Sequence, residues 1–292
     1  MSKAYLAIDI GGTKLAAGIV SADGHMVVHD RCDTPSEGVW DALADLVQRV
    51  HLQVATLTPP SGSEYELVAC GVGSGGPMSD DGNKVSPLSI PSWRDFPLRS
   101  SLASLTGLPT FVDNDAKALV LGEVWCGAAV GARDVIGMVV STGVGGGIIA
   151  DGKLIDGNSG NAGHIGHVNV VPNGRLCKCG ARGCLEAVAS GSAIAAMTRK
   201  PAAQATPEVV HQTGVYVGRA VASVAALLDL RLAVIGGSVA LGFGEPFFQA
   251  AQAEADRYAT ISFARGIRIR PTGLGANAPL VGAAAVARRG RA

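Results

Sequence analysis

Two glycine-rich segments, each joining two apolar stretches, constrain the fold of this chain more than any other feature. The first is DIGGTKLAAGIV at 9–20 and the second is STGVGGGIIADG at 141–152. Each segment predicts the end of a buried strand, a glycine-rich turn and the start of a second strand. The same strand–turn–strand motif therefore occurs twice. Two α/β lobes with matching glycine hairpins predict a nucleotide held in the cleft between them.

The order of the predicted elements supports two α/β lobes. In the first part, the pattern predicts strands over 4–10, 14–20, 25–31, 66–72 and 109–113 and helices over 39–57 and 98–106. In the second part, it predicts strands over 134–141, 147–150, 232–236 and 266–270 and helices over 188–199, 206–228, 245–259 and 279–289. No linker is rich enough in Pro and Ser to mark an independent domain. We therefore predict lobes over 1–116 and 117–278, with the C-terminal helix, 279–292, joining the first.

The glycine turns suit phosphate groups because backbone N–H groups can approach an anion where no Cβ intervenes. One such hairpin would more often be an ordinary turn, but two, each with Asp or Ser/Thr at the strand end, favour phosphate loops. Asp9 is a candidate to orient Mg²⁺ or its waters. The predicted nucleotide contacts are Asp9, Gly11, Gly12, Thr13, Lys14, Thr142, Gly143, Gly145 and, on the adenosine side, Gly237.

Two common nucleotide motifs are excluded. The sequence has no G-x-x-x-x-G-K-[ST] and therefore no P-loop. The glycines at 71, 73 and 76 match G-x-G-x-x-G after a strand, but Pro77 follows where a helix would have to begin.

A cluster of potential metal ligands lies in GHIGHVNVVPNGRLCKCGARGCLE, at 163–186. It contains His167, Cys177, Cys179 and Cys184, one His and three Cys within eighteen residues. Such a set can bind Zn²⁺ tetrahedrally, and four protein ligands leave no open position, so the zinc would be structural. Unlinked buried cysteines are the alternative, which the clustering disfavours.

The segment TFVDNDAKALVLGE, at 110–123, carries the candidate general base. A carboxylate at the C-terminal end of such a strand points into the crevice where ligands bind. From the residues alone, Asp115 reads more readily as the N-cap of the following helix.

The motifs together resemble the ROK family of sugar kinases and repressors. AIDIGGTKLAAGIV resembles its first phosphate segment, STGVGGGII its second, and the His and Cys cluster its zinc motif. The resemblance implies a two-lobed actin-like ATPase (ribonuclease H-like) fold with nucleotide and sugar in the interlobe cleft. It implies ATP, Mg²⁺ and structural Zn²⁺, a homodimer, and phosphorylation of a hexose. Asp115 would be the base on the 6-hydroxyl, and the implied sugar contacts are Gly76, Asn114, Asp115, His164, His167 and Glu186.

The sequence departs from the family at two positions. His164 stands where glucokinases of the family usually have Glu, and Ser89 where relatives often have Asn. The form AGHIGH resembles N-acetylmannosamine kinases, and an imidazole, which is not anionic, would suit an acetamido group at C2. We expect N-acetylmannosamine as the substrate, with glucose as the alternative, in which His164 is a neutral variant.

The bulk properties exclude several other classes. The formal net charge is zero, which gives no electrostatic reason to expect nucleic acid or an anionic membrane as a partner. Asp9 interrupts any signal-peptide core and no apolar stretch spans a membrane, so a cytoplasmic location is expected. The strand before the first glycine turn begins near residue 4, so we do not expect the N-terminal DNA-binding domain of a repressor. A non-catalytic sugar-binding regulator is therefore disfavoured, and an actin- or Hsp70-like ATPase would not need the zinc motif.

Overall fold

The computed structural model describes residues 1–57, 64–79 and 82–290. Its strands are β1 (Ser2–Ile10), β2 (Lys14–Ser21), β3 (Met26–Asp33), β4 (Tyr65–Ser74), β5 (Thr110–Asn114), β6 (Val135–Val140), β7 (Val144–Ala150), β8 (Lys153–Leu154), β9 (Leu232–Gly236) and β10 (Arg268–Pro271). Its helices are α1 (Val39–Gln53), α2 (Leu98–Thr106), α3 (Asp115–Cys126), α4 (Glu186–Ala189), α5 (Gly191–Thr198), α6 (Pro207–Leu228), α7 (Ser238–Phe243), α8 (Glu245–Tyr258) and α9 (Ala278–Gly290).

Contacts divide the chain into two compact units. Unit 1 consists of Met1–Gly127, Asp156–Ala162 and Leu274–Ala292, and unit 2 of Ala128–Ile155 and Gly163–Gly273. The predicted division at residue 116 falls inside α3, and the contacts keep that whole helix in unit 1. Residues 291–292 of the predicted 279–292 segment lie outside the described part of the chain.

Unit 1 is built on a five-stranded sheet in the order β3-β2-β1-β4-β5. The first two pairs along the chain are antiparallel, whereas β4 runs parallel to both β1 and β5. Side chains alternate across β1, so Leu6 and Ile8 pack with α1 and α2, while Ala7 packs with α9. Helices therefore cover both faces of this sheet, and the C-terminal ends of β1, β4 and β5 meet at one edge.

Unit 2 is built on a second five-stranded sheet, in the order β10-β9-β6-β7-β8. Here β6, β7 and β8 are antiparallel neighbours, and β9 lies parallel to β6 and to β10. Helices α6 and α8 pack against each other in its core, where Val217, Phe247 and Ala251 are fully buried. Each sheet thus carries one of the two glycine hairpins. This confirms the prediction that the same strand–turn–strand motif occurs twice.

The elements differ from the predictions in a few places. The helix predicted over 39–57 ends at Gln53 and continues as a 3₁₀ turn, Val54–Thr56. The helix predicted over 188–199 is two helices, because the Ser190 hydroxyl accepts a hydrogen bond from the Ala193 N–H (3.1 Å) and starts α5 afresh. Strand β8 and helix α7 were not predicted.

Candidate functional site

The first glycine turn, between β1 and β2, is held by backbone hydrogen bonds. The Gly11 N–H donates to the Lys14 carbonyl (3.0 Å), and the Thr34 N–H donates to the Thr13 carbonyl (3.1 Å). A Cβ on Gly12 would lie 2.4 Å from the Cβ of Ser89, so only glycine fits there. The turn is therefore fixed in shape, and Ser89 lies directly against it.

Two acidic residues lie together at the edge of the first sheet. Asp9 pairs with Gly73 across β1 and β4, at the end where β5 leads into α3. A Cβ on Gly73 would lie 3.7 Å from Asp9 Oδ1 and 3.6 Å from the Cα of Asp115. Burial and then the charge of Asp115 raise the pKa of Asp9 to about 7. A buried carboxyl group whose pKa is raised by a neighbouring charge is typical of functional sites.

The N-cap of α3 is Asn114. Its Oδ1 accepts a hydrogen bond from the Ala116 N–H (3.0 Å), while Asp115 is the first residue of the helix. The interpretation of Asp115 as the N-cap is therefore wrong, because the helix begins one residue earlier than that interpretation requires. The Asp115 Oδ1 also accepts from the Ala116 N–H (2.8 Å), which orients the carboxylate at the start of the helix.

The second glycine turn, between β6 and β7, is held by the start of α5. The Ser141 N–H donates to the Gly143 carbonyl (2.9 Å), and the Ser192 hydroxyl donates to the Thr142 carbonyl (2.7 Å). Glu186 also contacts this turn, because its Oε2 accepts from the Val144 N–H (3.1 Å). Glu186, which the sequence predicts as a sugar contact, therefore helps to hold the hairpin.

The end of β9 lies beside the same turn. Gly237 has a φ of 95°, and a Cβ there would lie 2.4 Å from the Val140 carbonyl oxygen, so this position requires glycine. The next residue, Ser238, has its hydroxyl 2.9 Å from that of Ser141. Ser192 and Ser238 were missed by the sequence analysis, although each follows a glycine near a helix start, where hydroxyls commonly bond backbone groups.

The predicted metal ligands form one cluster. The ligand atoms of His167, Cys177, Cys179 and Cys184 all lie within 4.8 Å of one another. The Cys179 and Cys184 sulfurs are 3.7 Å apart, and the Cys177 sulfur lies 3.8 Å from His167 Nδ1. A tetrahedral zinc with Zn–S bonds of about 2.3 Å places its sulfurs about 3.8 Å apart, so the residues fit that metal.

The thiols of the cluster influence one another's ionisation. Burial and the neighbouring thiols raise the pKa of Cys184 to about 12. A hydrogen bond with the Ala181 backbone and one with the Cys177 thiol lower the pKa of Cys179. The cysteines are free thiols, not disulfides.

His164 immediately precedes the 3₁₀ turn Ile165–His167, which carries the first candidate metal ligand. It is exposed, and its ring lies parallel to that of His167 with centroids 6.3 Å apart and an interplanar angle of 12°. Because His167 Nδ1 faces Cys177, metal binding there leaves Nε2 as the ring nitrogen able to contact a ligand.

The predicted site residues fall into both units. Unit 1 holds Asp9, Gly11, Gly12, Thr13, Lys14, Gly76, Asn114 and Asp115. Unit 2 holds Thr142, Gly143, Gly145, His164, His167, Glu186, Gly237 and the three cysteines. Gly71 and Gly73 lie within β4, and Pro77 follows without a helix, consistent with the rejection of a dinucleotide motif.

The chain belongs to the ROK family, whose model matches residues 5–290. It is 38% identical over 197 residues to a glucokinase of Thermotoga maritima, and this match covers 67% of the chain and 60% of the relative. It is 39% identical over 256 residues to an N-acetylmannosamine kinase of Citrobacter koseri, covering 82% of this chain and 84% of that one. The match thus spans about three fifths of the Thermotoga maritima relative.

Solved structures confirm the predicted fold. The ROK hexokinase of Thermus thermophilus superposes with a TM-score of 0.83 at 32% identity, over 99% of both chains. A ROK glucokinase from Streptomyces griseus, in complex with glucose and AMPPNP, gives a TM-score of 0.82 at 31% identity, over 98% of this chain and 99% of that one. The protein therefore has the actin-like ATPase fold of ROK hexokinases. Within the described ranges, no helix is long and apolar enough to cross a bilayer.

Proposed function

We propose that this protein is a sugar kinase that transfers the γ-phosphoryl group of ATP to the 6-hydroxyl of a hexose. The observation that carries the proposal is the pair Asp9 and Asp115, which lies at the edge of a sheet whose first hairpin is a fixed glycine turn. Phosphoryl transfer requires positioning, neutralisation of charge and a group that accepts the hydroxyl proton. The relatives named glucokinase and N-acetylmannosamine kinase support the same class of reaction.

Asp115 is the proposed general base. It stands at the first position of α3, with one carboxylate oxygen oriented by the Ala116 N–H (2.8 Å). In this role it accepts the proton of the sugar 6-hydroxyl as the oxygen attacks phosphorus, which contributes about 10²–10⁴-fold to the rate. Asn114, whose Oδ1 caps the helix, would present its amide N–H₂ to a sugar hydroxyl.

Asp9 is the proposed partner of the magnesium ion that accompanies ATP. Mg²⁺ takes one or two carboxylates together with phosphate oxygens, and it neutralises charge on the transferring group. A carboxylate whose pKa is raised to about 7 is poised to ionise when a cation arrives. The turn residues Gly11, Gly12, Thr13 and Lys14 are the proposed phosphate contacts of unit 1. Thr142, Gly143, Gly145 and Gly237 are the proposed nucleotide contacts of unit 2.

The proposed metal of unit 2 is a structural zinc. His167, Cys177, Cys179 and Cys184 would hold it, and it would supply folding free energy and no chemistry. By fixing His167 it would orient the segment that carries His164, since a metal ligand constrains its neighbours.

We propose N-acetylmannosamine as the hexose, with glucose as the second candidate. A carboxylate at position 164 would accept strong hydrogen bonds from vicinal hydroxyls, whereas the imidazole of His164 is shorter and not anionic. An acetamido group at C2 suits the imidazole better. Because the chain matches both a glucokinase and an N-acetylmannosamine kinase, both sugars need to be tested.

A coupled assay of ADP formation over a panel of hexoses tests the proposal. The panel contains N-acetylmannosamine, N-acetylglucosamine, glucose and mannose, with ATP and polyphosphate as alternative donors. We expect ATP-dependent turnover with N-acetylmannosamine, and less with glucose. Saturable sugar binding without turnover on any donor would instead identify a sugar-binding regulator. Light scattering on the same preparation tests the proposed homodimer.

A further inference from the structure

Four charged side chains form a cluster beside the first turn of α3, apart from the groups discussed so far. They are Asp113, Lys117, Asp156 and Arg289. The Lys117 ammonium, whose side chain is only 2% exposed, lies 2.9 Å from Asp113 Oδ1 and 2.9 Å from Asp156 Oδ1. It also donates to the Gly160 carbonyl (3.1 Å). An ammonium group has three N–H donors, so Lys117 has a partner for each of them and acts as a bridge.

Arg289 of α9 completes the cluster. Its Nη1 donates to Asp156 Oδ1 (3.2 Å), its Nη2 donates to Asp156 Oδ2, and its Nη1 lies 3.5 Å from Asp113 Oδ2. Burial alone would raise the pKa of Asp156, but the hydrogen bonds from Arg289 and Lys117 hold that pKa below its ordinary value. The two carboxylates and two cations therefore balance, and Asp156 stays ionised.

The cluster connects α3 to a short segment of the chain that belongs to unit 1 but lies, in sequence, between two stretches of unit 2. The chain leaves unit 2 after Ile155, joins unit 1 for Asp156–Ala162 and returns to unit 2 at Gly163. We call Asp156–Ala162 the anchored loop. Its ends are joined by a hydrogen bond from the Ala162 N–H to the Asp156 carbonyl (2.9 Å). Lys117 contacts both its first residue and Gly160, so one side chain fixes most of its length.

We propose that Lys117 is a positioning residue for the sugar site. It lies two residues after Asp115, and the anchored loop ends two residues before His164. By holding the loop against α3, Lys117 fixes the start of the helix that carries the base and the chain that leads to the substrate-selecting histidine. This inference rests on the proposed function, because it assigns Lys117 a role in binding the same hexose.

Stability alone does not account for such a cluster. Burying a charge pair removes two ions from water, and replacing it with apolar side chains is often neutral or stabilising. Within this network the buried pair is Lys117 with Asp113, whereas Asp156 and Arg289 are partly exposed. What such a buried pair supplies is a unique arrangement, since removing one member leaves the other charge unpaired. Lys117 lies two residues after the proposed base and holds the loop that leads along the chain to His164, which indicates what that arrangement serves.

A double-mutant cycle tests the proposal. The variants are Lys117→Met, Asp156→Asn and the double variant, which restores charge balance around Asp113 and Arg289. Arg49→Met is the matched control, because Arg49 pairs with Asp30 (2.9 Å) at an exposed position of unit 1. Below the unfolding transition, we expect Lys117→Met to raise KM for the hexose at least about tenfold, with KM for ATP within about twofold, since small displacements are costly in a positioned site.

The two single substitutions should be non-additive, with the double variant no worse than Lys117→Met, if Lys117 acts through Asp156. Wild-type constants in the folded variants would overturn the proposal. A loss of kcat with an unchanged KM for the hexose would also overturn the proposal, because that result reports only a smaller amount of active protein. If Lys117→Met does not fold, the charge-balanced double variant and Asp156→Asn carry the test.

Hydrogen exchange separates this proposal from the proposed function. In the substrate-free protein, amides of 156–162 should exchange at least about tenfold faster in Lys117→Met than in Arg49→Met, since they lose their anchor. Unchanged exchange overturns the role of Lys117, whatever the activity. Absence of turnover by the wild-type protein on any hexose overturns the proposed function, and with it the assignment of Lys117 to a sugar site.

Discussion

Asp115 lies so near Asp9 that its charge adds to the effect of burial, and together they raise the pKa of Asp9 to about 7. The two residues come from different elements, the end of β1 and the start of α3, and Gly73 of β4 lies between them. Without a cation, this edge of the sheet therefore holds a buried carboxyl group, Asp9, whose ionisation the neighbouring Asp115 disfavours. The proposed magnesium site can therefore be tested through the proton on Asp9, by measuring how the stability of the protein depends on pH.

The first prediction concerns stability against pH in the absence of metal. The pKa of Asp9 is raised from its ordinary value of 3.8, so the folded protein binds a proton more tightly than the unfolded chain does. The stability from this proton is fully present below about pH 4 and is lost as pH rises towards 7. Between pH 5.5 and 8 in EDTA, the Tm of the wild type should therefore fall by at least about 2 °C more than that of Asp9→Asn.

Asp41→Asn, which alters an exposed carboxylate of α1, is the control and should follow the wild type. Equal falls in Tm for the wild type and Asp9→Asn would show that Asp9 does not titrate in this range. Added Mg²⁺ with nucleotide should remove the difference, because a bound cation stabilises the ionised carboxylate.

The second prediction concerns Asp115→Asn. An amide cannot accept the proton of the 6-hydroxyl, so kcat should fall at least about a hundredfold while KM for the sugar stays within a few-fold. Steady-state kinetics give both constants, and a melting curve confirms that the variant is folded. Turnover near that of the wild type would eliminate Asp115 as the base.

The third prediction concerns the metal. Elemental analysis of the purified protein should find about one zinc per chain, and Cys179→Ser should lose zinc, stability and activity together, because metal binding contributes folding free energy. Cys32→Ser, at a half-buried thiol of β3, is the control and should keep its metal. A metal-free preparation of full activity would contradict the assignment.

Local patterns predicted most of the fold. The bounds of α2 and β9 agree with the predicted ranges, since each is a short apolar run between clear turn signals. Helix α7 was missed because six residues after Gly237 are too few to show a helical period. The resemblance to the ROK family identified the fold beyond what periodicity could, and the comparisons confirm it.

The candidate site was predicted less completely, for a physical reason. The glycine turns and the candidate metal ligands each lie within a short stretch of sequence and could be identified directly. The Lys117 and Asp156 pair joins residues 39 positions apart, and the pKa of Asp9 depends on a neighbour from another element. Such long-range contacts leave no periodic signal in the sequence. The N-cap of α3 depended on a shift of a single residue, from Asp115 to Asn114, which sequence patterns do not resolve.

The last prediction concerns His164 and the choice of sugar. Its exposed ring lies beside that of the proposed metal ligand His167, with the two centroids 6.3 Å apart. A substitution there can therefore change ligand contacts without removing core packing. A carboxylate would favour vicinal hydroxyls, whereas the imidazole suits an acetamido group at C2. Discrimination by polar contacts is large when a mismatched group is left unpaired.

We therefore expect kcat/KM for N-acetylmannosamine to exceed that for glucose, and His164→Glu to narrow or reverse the ratio. His164→Gln is the matched control, because it keeps a neutral polar group and should shift the ratio less than the carboxylate does. Zinc content measured on each variant excludes an effect through the metal. A wild type that prefers glucose, with a ratio unchanged in His164→Glu, would show that His164 only packs beside the metal ligand, and the sugar-kinase proposal would stand with glucose as its substrate.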